Sequence, residues 1–232
     1  MLTSSESMKR HLVENILKVA DDYRYIIPDL SGHGEAMNEV YVSAVEEARI
    51  LTQYLLEHGV SEVDLGFAAS LGGVVLFEIL NVGVIKFKRL FFEGVSFYEN
   101  AKLGGFLMTK IMLAKRKKGL KNPKLAVEKM SKMFGDQAGK VMAERFLKMD
   151  PRSIKNIVRD CSNVSLPKMD AETQKSCVFS YGEYDSDLRL ARRKIPKMYP
   201  EAKMVVDEGC GHCEKMVKDA EGYARRVMEI AG

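Results

Sequence analysis

A serine between small residues, an aspartate behind an apolar run and a histidine between glycines are the chemically suggestive features of this 232-residue chain. The first lies in Gly66-Phe67-Ala68-Ala69-Ser70-Leu71-Gly72-Gly73, which follows a predicted strand and opens a predicted helix. A serine on so sharp a turn has its hydroxyl thrust out of the sheet edge. Because the backbone doubles back there, the residues two before and two after must be small. This is the G-x-S-x-G pattern, with Ala68 in the first glycine's place. The helix that begins there presents the Leu71 N–H toward any developing oxyanion. The plainer reading is a glycine-rich turn whose serine caps a helix. The second segment, Tyr181-Gly182-Glu183-Tyr184-Asp185, places an acid at the C-terminal end of a predicted strand, the edge where α/β sites form. Its plainer reading is a helix-capping aspartate, a role Asp187 can also fill. The third is Gly209-Cys210-Gly211-His212-Cys213, between the last predicted strand and the last helix. Of the four histidines, His11 and His58 lie on polar helical stretches, whereas His212 projects from a glycine-flanked loop. In chain order the three are Ser70, Asp185 and His212. A serine is a weak nucleophile until a histidine takes its proton, and a carboxylate stabilises the imidazolium that results.

The elements that must position them alternate between strand and helix, which implies α/β architecture with a mostly parallel sheet flanked by helices. The spacing predicts helices over Ser7–Ala20, Val40–His58, Leu71–Leu80, Pro151–Cys161, Asp187–Tyr199 and Glu214–Ile230. It predicts strands over Tyr23–Ile27, Val63–Ala68, Lys88–Phe92, Cys177–Tyr181 and Lys203–Val206. Between Phe97 and Met149 no strand is expected. That stretch is helical, rich in lysine, and holds Met108, Met112, Met130, Met133, Met142 and Met149. It reads as a helical cap (97–149) inserted between two parts of a core (1–96 and 150–232). The methionines suit cap packing or an adaptable acyl pocket. Asp150-Pro151 reads as an N-cap with proline at the first helical position. The run Lys115-Arg116-Lys117-Lys118, with Lys121 and Lys124, is either a solvated helix end or an attractor for anionic substrates or a membrane surface.

Composition excludes several classes. Thirty-six basic and 32 acidic residues give +4, too even a balance to indicate nucleic-acid binding from charge alone. No uncharged apolar run reaches 18 residues, and the N-terminal segment has no apolar signal-like core. A chain without a membrane span, cytoplasmic and with reduced thiols, is the expectation. No cofactor or metal is implied: the paired Cys210 and Cys213 are too few for a structural zinc site.

With Ser…Asp…His in this order, each behind a strand, the chain resembles the α/β-hydrolase superfamily. Ile26-Ile27-Pro28-Asp29-Leu30-Ser31-Gly32-His33-Gly34 looks like the loop after that family's fourth strand, where the residue at His33 is usually structural. The resemblance implies Ser70 as nucleophile, His212 as general base and then acid, and Asp185 as its orienting carboxylate. The substrate it implies is a small ester or related acyl compound, hydrolysed through an acyl-enzyme. Family members begin with further strands, the third ending in His-Gly before the loop that donates a second oxyanion N–H. Here Met1-Leu2-Thr3-Ser4-Ser5 looks like that loop, which would put Met1 in the second donor's place. It would also leave a gap or open edge beside Val63–Ala68. The alternative is a non-catalytic or truncated hydrolase-like protein, a binding scaffold or fragment lacking those strands. A third reading rests on Cys210-Gly211-His212-Cys213, which matches the CGHC site of protein disulfide isomerases. Only 19 residues follow it, too few for the strands a thioredoxin fold needs there.

Overall fold

The computed structural model describes residues 2–3, 13–18 and 22–231. Among the described residues, five strands form one sheet in chain order, every neighbouring pair parallel: β1 (Leu2–Thr3), β2 (Glu62–Ala69), β3 (Lys86–Glu93), β4 (Cys177–Gly182) and β5 (Lys203–Asp207). Parallel neighbours require a crossover between them, and helices supply each one. Helix α1 (13–18) and α2 (Ala44–Glu57) join β1 to β2, and α3 (Leu71–Val82) joins β2 to β3. Five helices separate β3 from β4: α4 (Lys102–Lys121), α5 (Pro123–Phe134), α6 (Asp136–Lys148), α7 (Pro151–Cys161) and α8 (Ala171–Lys175). Then come α9 (Leu188–Met198) before β5, and α10 (Lys215–Lys218) with α11 (Ala220–Ala231) after it. No helix among the described residues is long and apolar enough to cross a membrane.

Successive strand residues face opposite sides of the sheet, and both sides are covered. Ala68, Phe92 and Phe179 join one core with Leu76 and Phe77 of α3 and Ile195 of α9. Their chain neighbours Phe67, Phe91 and Val178 join a second core with Ile16 of α1 and Tyr223 and Val227 of α11. Phe179 stacks on Phe92 and Tyr199 at 5.0 and 5.8 Å. The N-terminal halves of β2 and β3 reach solvent while their C-terminal halves are buried. The loops that leave those buried ends are therefore rigidly seated.

Local signals explain most boundaries. The Ser43 hydroxyl accepts the Glu46 N–H to start α2. Asp150 accepts the Arg152 N–H to start α7, with Pro151 at the first helical position as expected. The loop before α2 is tied to α7. One Asp160 oxygen accepts both the Tyr41 hydroxyl (2.9 Å) and the Ala44 N–H (2.7 Å). His33 is buried, its Nδ1 donating to the Ser31 carbonyl at 3.1 Å.

Three expectations are corrected. Residues 23–27 are irregular and not a strand; β-rich composition becomes a strand only where a ladder partner lies alongside. Leu2–Thr3 is not loop. It pairs in parallel with Ala68–Ala69, satisfying the end of an edge that would otherwise carry bare peptide groups. Among the described residues, the open edge expected beside β2 is thereby reduced to its N-terminal part, where an apolar cavity of about 300 Å³ is lined by Tyr25, Ile27, Leu55, Leu65, Phe67 and Ile79. The single final helix is two helices, because Asp219 leaves helical geometry (φ −144°) and its carboxylate accepts the Gly222 N–H of the next helix. Residues 7–12 and 19–20 of the first expected helix lie outside the described residues; 13–18 are helical.

Candidate active site

Each of the three nominated side chains leaves the C-terminal edge of the sheet. Ser70 is the single residue between β2 and α3. Its φ of +53° and ψ of −120° is a conformation side chains rarely adopt, held by the Ser70 N–H donating to the Glu93 carbonyl at 2.8 Å. Asp185 sits in the turn after β4 and is buried. His212 sits in the loop after β5. Those two loops are laced together: the Tyr184 N–H donates to the Cys210 carbonyl and the Gly209 N–H to a Glu183 oxygen, both at 2.9 Å. The lacing fixes Asp185 relative to His212.

The structure brings the three together. His212 Nδ1 lies 2.8 Å from Asp185 Oδ2, and His212 Nε2 lies 2.9 Å from Ser70 Oγ. A carboxylate only accepts, so Nδ1 carries the proton. In the neutral ring, Nε2 is then left as an acceptor for the serine hydroxyl. The other Asp185 oxygen accepts the Asp187 N–H at 2.9 Å, which holds the carboxylate's orientation. Leu71 is the first residue of α3, directly after Ser70, so its N–H is one of the helix's four orphan donors. Met1, the nominated second donor, lies outside the described residues.

Charge at this edge is one-sided. The sulfur of Cys213 and the Asp185 carboxylate favour the imidazolium and outweigh burial, holding His212 well above the ordinary histidine range. Burial pushes Asp187 up to about 6. Donor atoms of Asp185, Asp187 and His212 lie within 4.8 Å of one another, the one such group among the described residues. His212 and Asp185 are already hydrogen-bonded to each other at 2.8 Å, so a cation held by all three would compete with that bond. As for the thiol-redox reading, all four cysteines are free, and Cys210 and Cys213 are both buried. Burial raises both thiols, whereas a redox cysteine needs a lowered one.

Two contributors escape sequence reasoning. Gly94 ends the buried part of β3 with φ +59°, and a Cβ there would stand 2.8 Å from His212 Cε1 and 3.2 Å from Asp185 Oδ2. The glycine lets the imidazole approach the backbone closely; a glycine directly behind an apolar strand was its only sequence signal. Asp187 does precede α9, but its side chain caps nothing there. It approaches His212 instead, a tertiary effect without a local signature.

No family model and no curated protein matches the sequence. Solved structures do resemble it. A thermophilic esterase from Thermogutta terrifontis aligns with 99% of this chain and 86% of its own, with 16% identity and a TM-score of 0.72. The esterase RhEst1 from Rhodococcus sp. aligns with 94% and 83%, with 19% identity and a TM-score of 0.69. MenH from S. aureus aligns with 99% and 90%, with 19% identity and a TM-score of 0.66. With its parallel sheet, flanking helices and these neighbours, the chain has the α/β-hydrolase fold.

Proposed function

We propose that the protein is a serine hydrolase that cleaves a small ester or related acyl substrate through an acyl-enzyme on Ser70. The observation that carries this reading is the continuous hydrogen-bond relay from Ser70 Oγ through the His212 imidazole to Asp185, at 2.9 and 2.8 Å. As Ser70 Oγ attacks the acyl carbon, its proton passes to His212 Nε2, and Asp185 stabilises the imidazolium. The carbonyl oxygen gains negative charge as the tetrahedral intermediate forms. In this reading the Leu71 N–H at the α3 N-terminus receives it. His212 then donates its proton to the leaving alkoxide, and the acyl group remains on Ser70. Water, deprotonated by His212, attacks this ester; the acid leaves and Ser70 regains its proton. Helices α4–α6 form, in this reading, the cap over the acyl site, within residues 97–149.

Support also comes from the structural neighbours, among which are proteins described as esterases and a thioesterase. The test is turnover of short-chain nitrophenyl esters. The expected result is saturable hydrolysis, reduced by about 10⁴-fold or more in Ser70→Ala and in His212→Ala. A folded protein without turnover, or with turnover indifferent to Ser70→Ala, overturns the reading in favour of a non-catalytic scaffold.

A further inference from the structure

The chain's charge of +4 is laid out very unevenly. Residues 102–148 carry 13 Lys and Arg against three Asp and Glu, a net +10, so the rest of the chain is net −6. Helix α4 is the extreme. It has seven basic residues and no acidic one, and among the described residues none of the seven forms an ion pair.

The inner side of α4 is set by its glycines: Gly105 lies against Ser162 at the end of α7, and Gly119 against Leu147 of α6. The opposite, exposed stripe runs Leu103, Phe106/Leu107, Lys110, Lys117 and Lys121, at three- and four-residue spacing with one turn skipped at Ala114. It is apolar over its first two turns and basic beyond them. Leu103 is 82% exposed, Phe106 59% and Leu107 58%. Lys110 Nζ sits 4.4 Å over the Phe106 ring, at the junction of the two halves. This stripe is therefore divided along the axis of a helix about 30 Å long, with an apolar tip and a cationic shaft.

We propose that α4 docks the protein on an anionic lipid surface. Leu103, Phe106 and Leu107 enter the boundary between headgroups and acyl chains, and Lys110, Lys117, Lys118 and Lys121 meet lipid phosphates. Three features favour a membrane over an acidic protein. The stripe is the exposed flank of a single helix, whereas protein partners anchor in pockets. The cations are spread around the shaft, with Lys115, Arg116, Lys117 and Lys118 consecutive, which suits a plane of diffuse charge better than a shaped surface. Large aliphatic side chains beside lysines are the composition of interfacial helices. The apolar tip is the end tied to the C-terminus of α7, where the Ala101 N–H donates to the Ser162 carbonyl at 3.0 Å. The proposal does not depend on the chemistry of Ser70, and its test reads binding only.

The test is sedimentation of the full chain with phosphatidylcholine vesicles, with or without 30% phosphatidylglycerol. Two variants are compared: Leu103→Ser/Phe106→Ser/Leu107→Ser and Lys110→Gln/Lys117→Gln/Lys118→Gln/Lys121→Gln. All seven positions are exposed, and circular dichroism melting verifies the fold of each. Expected is binding to the anionic vesicles, weakened at least about 10-fold by removal of phosphatidylglycerol, by 0.5 M salt and by either variant. No vesicle binding by the wild type overturns the proposal, as does binding that both variants retain. So does binding to poly-glutamate as tight as to vesicles with the apolar variant unaffected in both, which would mark a general polyanion site.

Discussion

Gly94→Ala is the perturbation whose effect the geometry defines most closely. The position has φ +59°, where a side chain costs roughly 1–2 kcal/mol. For a chain of this length that lowers Tm by about 2–8 °C. The second effect is local. The new Cβ would meet His212 Cε1 at 2.8 Å and Nδ1 at 3.0 Å, whereas ordinary contact begins at 3.4 Å, so the ring must retreat by about 0.6 Å. It cannot do so while keeping both its 2.8 Å bond to Asp185 and its 2.9 Å bond to Ser70. Misplacements approaching 1 Å cost on the order of 10²-fold in rate, so kcat on a nitrophenyl ester should drop by about 10- to 100-fold. Gly94→Asn separates the two effects: asparagine tolerates positive φ better but carries the same Cβ. It should regain part of the lost Tm and remain slow. Wild-type kcat in a folded Gly94→Ala protein would refute the claim that Gly94 seats the imidazole.

Four further outcomes are expected. Because His212 is held above the ordinary histidine range and must be neutral to accept the serine proton, kcat/KM should fall toward acid with a midpoint above about 6.5. Asp187→Asn removes an anion that favours the imidazolium, so this midpoint should move down; an unmoved midpoint would show that Asp187 does not act on His212. The buried Glu93 carboxyl is pushed up by desolvation while accepting the Tyr223 hydroxyl at 2.8 Å. Its protonated form is favoured in the folded state, so its contribution to stability is present below about 4.5, the unfolded value, and is lost as pH rises through the folded one. Melting at pH 5 and pH 8 should therefore show a smaller loss of Tm in Glu93→Gln than in the wild type, and equal losses would contradict this. Finally, Asp160→Ala strands the Tyr41 hydroxyl and the Ala44 N–H. It should lower stability by about 1–3 kcal/mol, read by denaturant unfolding.

Much of the frame is legible from residues alone, for a physical reason. The strands Val63–Ala68, Lys88–Phe92, Cys177–Tyr181 and Lys203–Val206 are short apolar runs bounded by turn residues, and all are realised. Ser70, Asp185 and His212 could be nominated because each follows such a run, where the loops of a parallel sheet converge. Tyr23–Ile27 misleads because its composition matches a strand but ladder pairing is decided by what lies beside it. Asp219 misleads because an aspartate within a helical pattern can stop one helix and cap the next. Of the methionines expected in cap packing, Met149 is buried whereas Met108 and Met133 face solvent; periodicity does not show which face finds a partner. Gly94, Asp187 and the burial of Cys213 become meaningful only when three separate loops meet at one edge.

The most direct measurement is covalent labelling with a fluorophosphonate, followed by peptide mass mapping. An activated serine attacks phosphorus and expels fluoride, so the expected adduct lies on the peptide containing Ser70. It should be absent in Ser70→Ala and slowed by at least about 10²-fold in His212→Ala. A cooperatively folded protein that takes no label, or takes it at another serine, would contradict the assignment of Ser70, His212 and Asp185 as a hydrolytic site.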